Sequence, residues 1–444
     1  MRAFLFADLL QRTLRVVGGY TVHWVMNITD IDDKTIRDSA PGSAAWPAVL
    51  GQQSHDPKDN LKRLAVFYEQ EFVRDISLLG IDLQHFAHMP RATDYILQMQ
   101  ELIRLIFDKG FAYISQGSIY FNVNAWRQHE QYGRLYTIDS EHFIAGVRID
   151  ADEYSREQVS DFVLWKGVKP GEPFWDFVLD NISLPGRPGW HIECSAMGHA
   201  LLGLPFDIHT GGVDLRFPHH EDEIAQSKAG YGKETASFWC HNEFLEVEGR
   251  KMSKSAGNFF TLRDLVEKGL NPADIRFAML GAHYASVYNF TFFGVESARK
   301  ARERVQEYIY TLHETDNTFE LRPDIQVFRN QIFAALSDNL HMPKALELLF
   351  SFMNENPAAR LNEDAKKEML QLFEELNQIF GVWSTQPRPV KEIIIPADIQ
   401  AMAAERWQAR LDRDFQKSDQ LRAALAQAGY TVKDSKDGYT LEKA

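Results

Sequence analysis

The stretch Glu248–Asn258, EGRKMSKSAGN, packs two lysines, two serines and a glycine into a loop ahead of a helix. Such a loop suits phosphate. Lys251 and Lys254 would bring mobile ammonium donors to charge developing on a triphosphate, while Ser253, Ser255 and nearby backbone N–H groups would supply neutral donors. A solvated basic loop is the bland alternative for any cluster with two lysines.

Immediately upstream lie GWHIECSAM (Gly189–Met197) and FDIHTGGVDLRFPHHEDEIAQS (Phe206–Ser227), which gather a thiol, several imidazoles and several carboxylates. That is the composition of a zinc site. Pro218 can open a helix at its N1 position, and His219 and Glu223 then stand one turn apart on the same face, where two side chains can share a metal. Cys194 would be a soft third ligand. Alone, a cysteine in such a pattern is more often a packed core residue.

A third run, NITDIDDK (Asn27–Lys34), leaves a strand-like segment and enters a helix, the place where open α/β sheets put ligands. Asp30, Asp32 and Asp33 could equally be a helix N-cap.

Around these motifs, residues 1–285 alternate short apolar strands (Thr21–Met26, Ala112–Ile114, Ile119–Phe121, Phe206–His209) with helical stretches (Asp59–Leu79, Thr93–Lys109). This is α/β patterning. A Gly- and Pro-rich section, Lys169–Gly189, separates the strand-like Phe162–Trp165 from Trp190 and is expected to flank a cleft. From about 290 the period becomes helical over Ser297–Leu312, Pro323–Ser337, Pro343–Asn354 and Asn362–Phe380. Trp383–Pro396 reads as a linker. A helical hairpin (Asp398–Asp412, Phe415–Ala428) and a short strand pair within Tyr430–Leu441 follow. At the start, Leu5, Leu9, Leu10 and Leu14 fall at helical spacing before Gly18 and Gly19, and Asp8, Arg12 and Arg15 interrupt the apolar run of a signal peptide.

The 444 residues are 45% hydrophobic, 12% aromatic and 25% charged, enough for two or three packed domains. Two cysteines, Cys194 and Cys240, cannot build a disulfide framework. No segment approaches the roughly 18 apolar residues of a membrane span, so a cytoplasmic protein without membrane contact is expected. A net charge of -14 argues against bulk electrostatic capture of nucleic acid. Local basic runs, Arg299–Arg304 and Arg406–Arg422, are expected to be solvated helix faces on charge alone.

The string KMSKS resembles the second signature of class I aminoacyl-tRNA synthetases, and the two His/Cys runs resemble the zinc-binding segments of the cysteine-specific branch of that class. The resemblance covers nearly the whole chain, with HYASVYNF (His283–Phe290) and ALSDNLHMPKALELLF (Ala335–Phe350) fitting its helical domain. It implies a Rossmann-like α/β catalytic domain over 1–285 with a connective insertion at about 94–185, a helical tRNA-binding bundle over 290–384 and a small anticodon-region domain over 396–444. It further implies activation of L-cysteine with Mg-ATP and transfer to tRNA(Cys), most simply by a monomer.

On these matches, Lys254 is the lysine that contacts ATP beside Lys251, Ser253 and Ser255. Gly211, Gly212 and Asp214 form a nucleoside-binding turn, with Thr210 where a glycine is usual. Thr29 and Trp190 line the cysteine pocket. Cys194, His219 and Glu223 hold one Zn2+, and His191, His209 and His220 surround it. A thiolate-seeking metal would reject serine without editing, a separation that an apolar pocket makes only weakly, on the order of 100-fold. The class's first signature, HIGH, and a first-strand cysteine ligand are not found, and RAFLFADLLQRTL resembles the helix that follows HIGH. The expectation is an internal methionine read as the start, or a fragment, with little turnover by the chain as it stands. Two rivals remain: a non-catalytic tRNA-binding fragment or paralogue, and a mycothiol-pathway ligase joining cysteine to an amino sugar.

Overall fold

The computed structural model describes residues 1–137, 143–149, 159–252, 257–314, 320–389, 395–435 and 438–443, and the chain divides into two compact units, Met1–Thr385 and Gln386–Ala444. The first unit opens with α1 (Arg2–Val16), which buries Leu5, Phe6 and Leu9 together with Asp8, Gln11 and Arg12. Strand β1 is only Trp24–Val25, shorter than the expected Thr21–Met26. Its parallel partner β2 (Phe86–His88) pairs with an irregular register, and contact resumes as a single bridge at Ile28 and Arg91. Between them lie α2 (Asp33–Ser39) and α3 (Pro57–Leu78).

Helix α4 (Ile96–Asp108) leads into a sheet built from β3 (Ala112–Ser115), β4 (Ser118–Phe121), β5 (Phe143–Ile149) and β6 (Val159–Gly167), in the order β3-β4-β6-β5. A short helix, α5 (Val123–Arg127), follows β4. The Gly- and Pro-rich section holds the hairpin β7 (Val178–Leu179) and β8 (Ile182–Ser183), then β9 (Gly186–Pro188), which pairs with β6. Phe121, Phe162, Leu164 and Trp165 of this sheet form one core with Met99, Leu102 and Ile103 of α4. Two further helices close on it: α6 (Trp190–Leu202) and, after β10 (Phe206–Gly212), α7 (His219–Tyr231).

Strand β11 (Ala236–Asn242) lies parallel to β10, and β12 (Leu245–Val247) pairs antiparallel with β13 (Arg250–Lys251). After α8 (Leu262–Glu267) and α9 (Pro272–Leu280), β14 (Tyr288–Phe290) joins β12 in parallel. Among the described residues the parallel strands therefore occur as pairs.

The remainder of this unit is helical: α10 (Phe292–Glu314), α11 (Ile325–Ser337), α12 (Met342–Glu355) and α13 (Glu363–Phe380). Their common core includes Ile309, Ile332, Leu349, Phe373 and Ile379, and it takes in Phe6 and Leu9 of α1. Helix α13 shows why the sequence period was readable: Ala365, Met369, Leu372, Phe373, Leu376, Ile379 and Phe380 form one buried stripe at helical spacing. Gly381 ends it at φ +64°, the left-handed C′ position that glycine adopts without steric cost.

A buried charge cluster joins the α/β part to the bundle. Asp8 accepts from Arg12 Nε at 2.9 Å and from Arg276 Nη2 at 2.6 Å, and neither Asp8 nor Arg276 is exposed. The two guanidinium groups also donate to carbonyl oxygens at two helix ends. Arg12 reaches Gly80 and Gln378, and Arg276 reaches Leu79 and Phe380.

The second unit contains α14 (Ala397–Leu411), α15 (Phe415–Gln427) and the antiparallel pair β15 (Tyr430–Asp434) and β16 (Tyr439–Lys443). Ile399, Ala403, Leu425 and Val432 form its small core. Both basic runs are largely committed to ion pairs within their own unit. Arg299 pairs with Glu296 and Glu303, and Arg302 with Asp274. Buried Arg406 holds Asp434 through two hydrogen bonds of 2.5 and 2.7 Å, and Lys417 reaches Glu405.

Candidate metal centre and nucleotide site

Helix α6 begins right after Gly189, so Trp190, His191 and Cys194 fall on its first turns. Helix α7 packs against it and begins at His219, one residue later than a proline at N1 would place it, with Pro218 as the N-cap. The packing brings three expected ligands together. One ligand atom each from Cys194, His219 and Glu223 lies within 4.8 Å of the other two.

Glu223 is fully buried, and its two oxygens face different imidazoles: Oε1 is 2.9 Å from His219 Nε2, and Oε2 is 2.8 Å from His209 Nε2. Burial works against its charge, but the charges and hydrogen bonds of His209 and His219 hold the carboxyl well below the usual range. His209 is raised in return, Glu223 outweighing the effect of burial. The Cys194 thiol is pushed well above its ordinary value by burial, then by Glu223 and Glu193. A thiol in such surroundings becomes a thiolate only beside a cation, and a soft thiol, an imidazole and a carboxylate are the donor set that a borderline metal takes. The residues fit zinc.

The expected neighbours orient this set. His191 Nδ1 is 2.8 Å from His219 Nδ1, and His191 Nε2 is 3.4 Å from Asp222 Oδ2. Where His191 Nδ1 accepts from His219 Nδ1–H, the Nε2 lone pair of His219 is left free for a metal. Burial and His219 keep His191 far below its ordinary pKa, consistent with a neutral ring. Asp222 also accepts from the Tyr132 hydroxyl, and Trp190 stacks on His219 with centroids 4.4 Å apart.

Sequence reasoning missed two partners. Trp239 stacks on His209 at 4.7 Å, and His241 Nε2 lies 2.8 Å from His220 Nδ1. Both stand on β11, two residues apart and hence on one face, while Cys240 between them packs against the core of the helical bundle. Strand alternation in FWCHNEF carried that signal. Burial, with Arg216 and His209, lowers the His241 pKa to about 4.

The run NITDIDDK splits into three roles. Asp32 alone caps α2, in a capping box with Thr35. Buried Asp30 accepts from Thr93 N at 3.0 Å, tying this loop to the turn that packs on α6. Asp33 pairs with Lys166 Nζ at 2.9 Å and with Arg187, two buried cations of β6 and β9. Thr29 is half-buried on that loop, where Asn27 donates to its hydroxyl.

In the GGVD segment, Gly211 and Gly212 end β10 and Asp214 sits on the following turn. A Cβ on Gly211 would lie 2.7 Å from His220 Cε1, so the glycine here admits the imidazole ring. Lys251 is exposed on β13, and its carbonyl accepts from Asn258 Nδ2 at 3.1 Å. Buried Asn258, the last residue of the lysine-rich run, thereby holds the base of that loop. Ser253, Lys254 and Ser255 lie outside the described residues.

Comparison with known proteins shows the family. Residues 1–300 match the family model for the class I (C) tRNA synthetase catalytic domain, and the chain belongs to that family of class I aminoacyl-tRNA synthetases. Residues 395–440 match the cysteinyl-tRNA ligase anticodon binding domain. Within the class the chain is a member of the cysteine–tRNA ligase family. It is 39% identical to the cysteine–tRNA ligase of Protochlamydia amoebophila, over 100% of this chain and 89% of the relative. It is 37% identical to that of Leptospira interrogans, over 100% and 91%. The fold is also that of Mycobacterium tuberculosis methionyl-tRNA synthetase solved with methionyl-adenylate, at a TM-score of 0.54 and 13% identity over 85% of each chain. Among the described residues no helix is long and apolar enough to cross a membrane.

Proposed function

We propose that this chain activates L-cysteine with Mg-ATP and transfers it to tRNA(Cys) in the cytoplasm, and that it selects cysteine through one Zn2+ held by Cys194, His219 and Glu223. The carrying observation is the convergence of those three ligand atoms within 4.8 Å at the contact of α6 and α7. Bound there, the ion would supply a thiolate-seeking centre for which a serine hydroxyl competes poorly.

The protein side chains do the rest. His191 keeps His219 in the tautomer whose Nε2 faces Glu223, and His209 fixes the Glu223 carboxylate. Trp190, stacked on His219, and Thr29 would wall the amino-acid pocket. Gly211, Gly212 and Asp214 would receive the nucleoside, with His220 packed beneath Gly211. Lys251 and Lys254, with Ser253 and Ser255, would stabilise charge on the pyrophosphate leaving group as cysteinyl-adenylate forms. The match of residues 395–440 to an anticodon binding domain favours tRNA over an amino sugar as acceptor.

Metal analysis of the purified protein, combined with amino-acid-dependent ATP–pyrophosphate exchange, tests this. One zinc per chain and exchange driven by cysteine but not serine are expected. Zinc-free protein, or equal exchange with both amino acids, would remove the proposal.

A further inference from the structure

The imidazoles beside the proposed zinc site do more than surround it. One ligand atom each from His209, His220 and Glu223 also lies within 4.8 Å of the other two, a second group that shares only Glu223 with the first. The two oxygens of Glu223 divide between the groups, Oε1 toward His219 and Oε2 toward His209. A carboxylate with one oxygen toward each of two ligand sets has the disposition of a bridge between two metal positions, which in two-metal sites stand about 3.5–4 Å apart.

His220 supplies the independent observation. It is 1% exposed, and its Nε2 is buried without a hydrogen-bond partner among the described residues. Such an orphaned ring nitrogen is uncommon, because a buried polar atom without a partner is costly. Its other nitrogen, Nδ1, lies 2.8 Å from His241 Nε2. A proton shared on that side leaves Nε2 with its lone pair exposed, the state in which histidine ligates a metal, and His241 then acts as the outer partner that holds the ring. A Cβ at residue 211 would lie 3.0 Å from this Nε2, so the absent side chain of Gly211 keeps the space beside it open. His209, 18% exposed and stacked on Trp239, gives the position its access to solvent.

We propose that His209, His220 and Glu223 form a second, weaker divalent-cation position bridged through Glu223 to the first. Its ligands are two imidazoles and one carboxylate oxygen, so it takes Zn2+, Co2+ or Ni2+ and not Mg2+ or Ca2+, which seek oxygen sets. It has no thiolate, and its occupant would sit beside another dication, so it fills second. Filling it withdraws Glu223 Oε2 and His209 from the support of the first site, and excess zinc therefore inhibits cysteine activation.

The inference rests partly on the reading of Cys194, His219 and Glu223 as ligands, and Co2+ titration of the whole chain separates the two. The first equivalent should give a thiolate-to-cobalt charge-transfer band, and a second should add ligand-field absorption without increasing that band. His220→Asn and Gly211→Ala should each reduce two steps to one and keep the thiolate band. A single step with the thiolate band in the parent protein, or a second step that survives both substitutions, overturns the second position. Absence of the thiolate band while the thiolate-free step remains would instead remove the zinc reading and the bridge, and leave His209, His220 and Glu223 as a lone cation position.

Discussion

Helices α7 and α13 are both buried, but they bury opposite kinds of side chain. Helix α13 hides alanine, methionine, leucine, phenylalanine and isoleucine, with Lys366 its one buried charge. Helix α7 hides Ile224, Ala225 and Ala229, but with them His219, His220, Glu221, Asp222, Glu223, Gln226 and Ser227. Apolar burial stabilises in proportion to area, whereas each buried polar group must find a partner or weaken the fold. The partners in α7 come from elsewhere in the chain: Glu221 accepts from Gly133 N at 3.0 Å, and Ser195 donates to Gln226 at 2.6 Å. One helix is built to stay folded, the other to hold a site at some expense to stability.

Breaking each helix at its centre should separate the two roles. Glu223→Gln removes the proposed shared ligand and is expected to lower cysteine-dependent pyrophosphate exchange by more than about 100-fold, beyond the ~10–100-fold typical of outer partners. Far-UV circular dichroism should show the fold retained, and unchanged exchange would contradict the assignment. Phe373→Ala, at a fully buried site of α13, should do the reverse. It should cost about 3–5 kcal/mol in denaturant unfolding while the exchange rate per folded molecule stays the same. His191→Asn should weaken zinc by about 10–100-fold in chelator competition, because His219 loses the neighbour that fixes its tautomer.

The period of α13 was plain in the sequence for the reason that made α7 opaque. The bundle helices, the C-terminal hairpin and its strand pair lie where apolar spacing placed them, because apolar burial is periodic. In α7 only motif chemistry pointed to Glu223. Trp239 and His241 belong to no recognisable motif, and only the alternation of a strand, which turns every second residue to one face, sets them together. The Asp33 bridge to Lys166 and Arg187 joins residues more than a hundred positions apart, and no local pattern announces it. Strand β1 was read too long because its apolar run outlasts its pairing.

Acid should sharpen the contrast in metal-free protein. The folded state holds His241 neutral down to about 4 and keeps His191 and His220 well below the ordinary histidine value. An unfolded chain protonates them near 6.5. In that window the unfolded state binds more protons, so stability falls as pH drops below about 6.5. Thermal unfolding should show the midpoint falling across this range, and His241→Asn should flatten the dependence. At the other extreme, Glu296→Ala breaks only exposed ion pairs on α10 and should leave the unfolding midpoint unchanged.

The Asp8, Arg12 and Arg276 cluster carries a mechanical consequence. Prising the bundle from the α/β part would break the bonds that Arg12 and Arg276 donate to the Gln378 and Phe380 carbonyls at the end of α13, each worth about 1.5–3 kcal/mol as a hydrogen bond from a charged donor, while Asp8 stays with both guanidinium groups. The two regions therefore melt as one, and calorimetry of residues 1–385 should record a single cooperative transition. A ligand seated against the bundle would tug on the catalytic half through a rigid strut rather than a hinge.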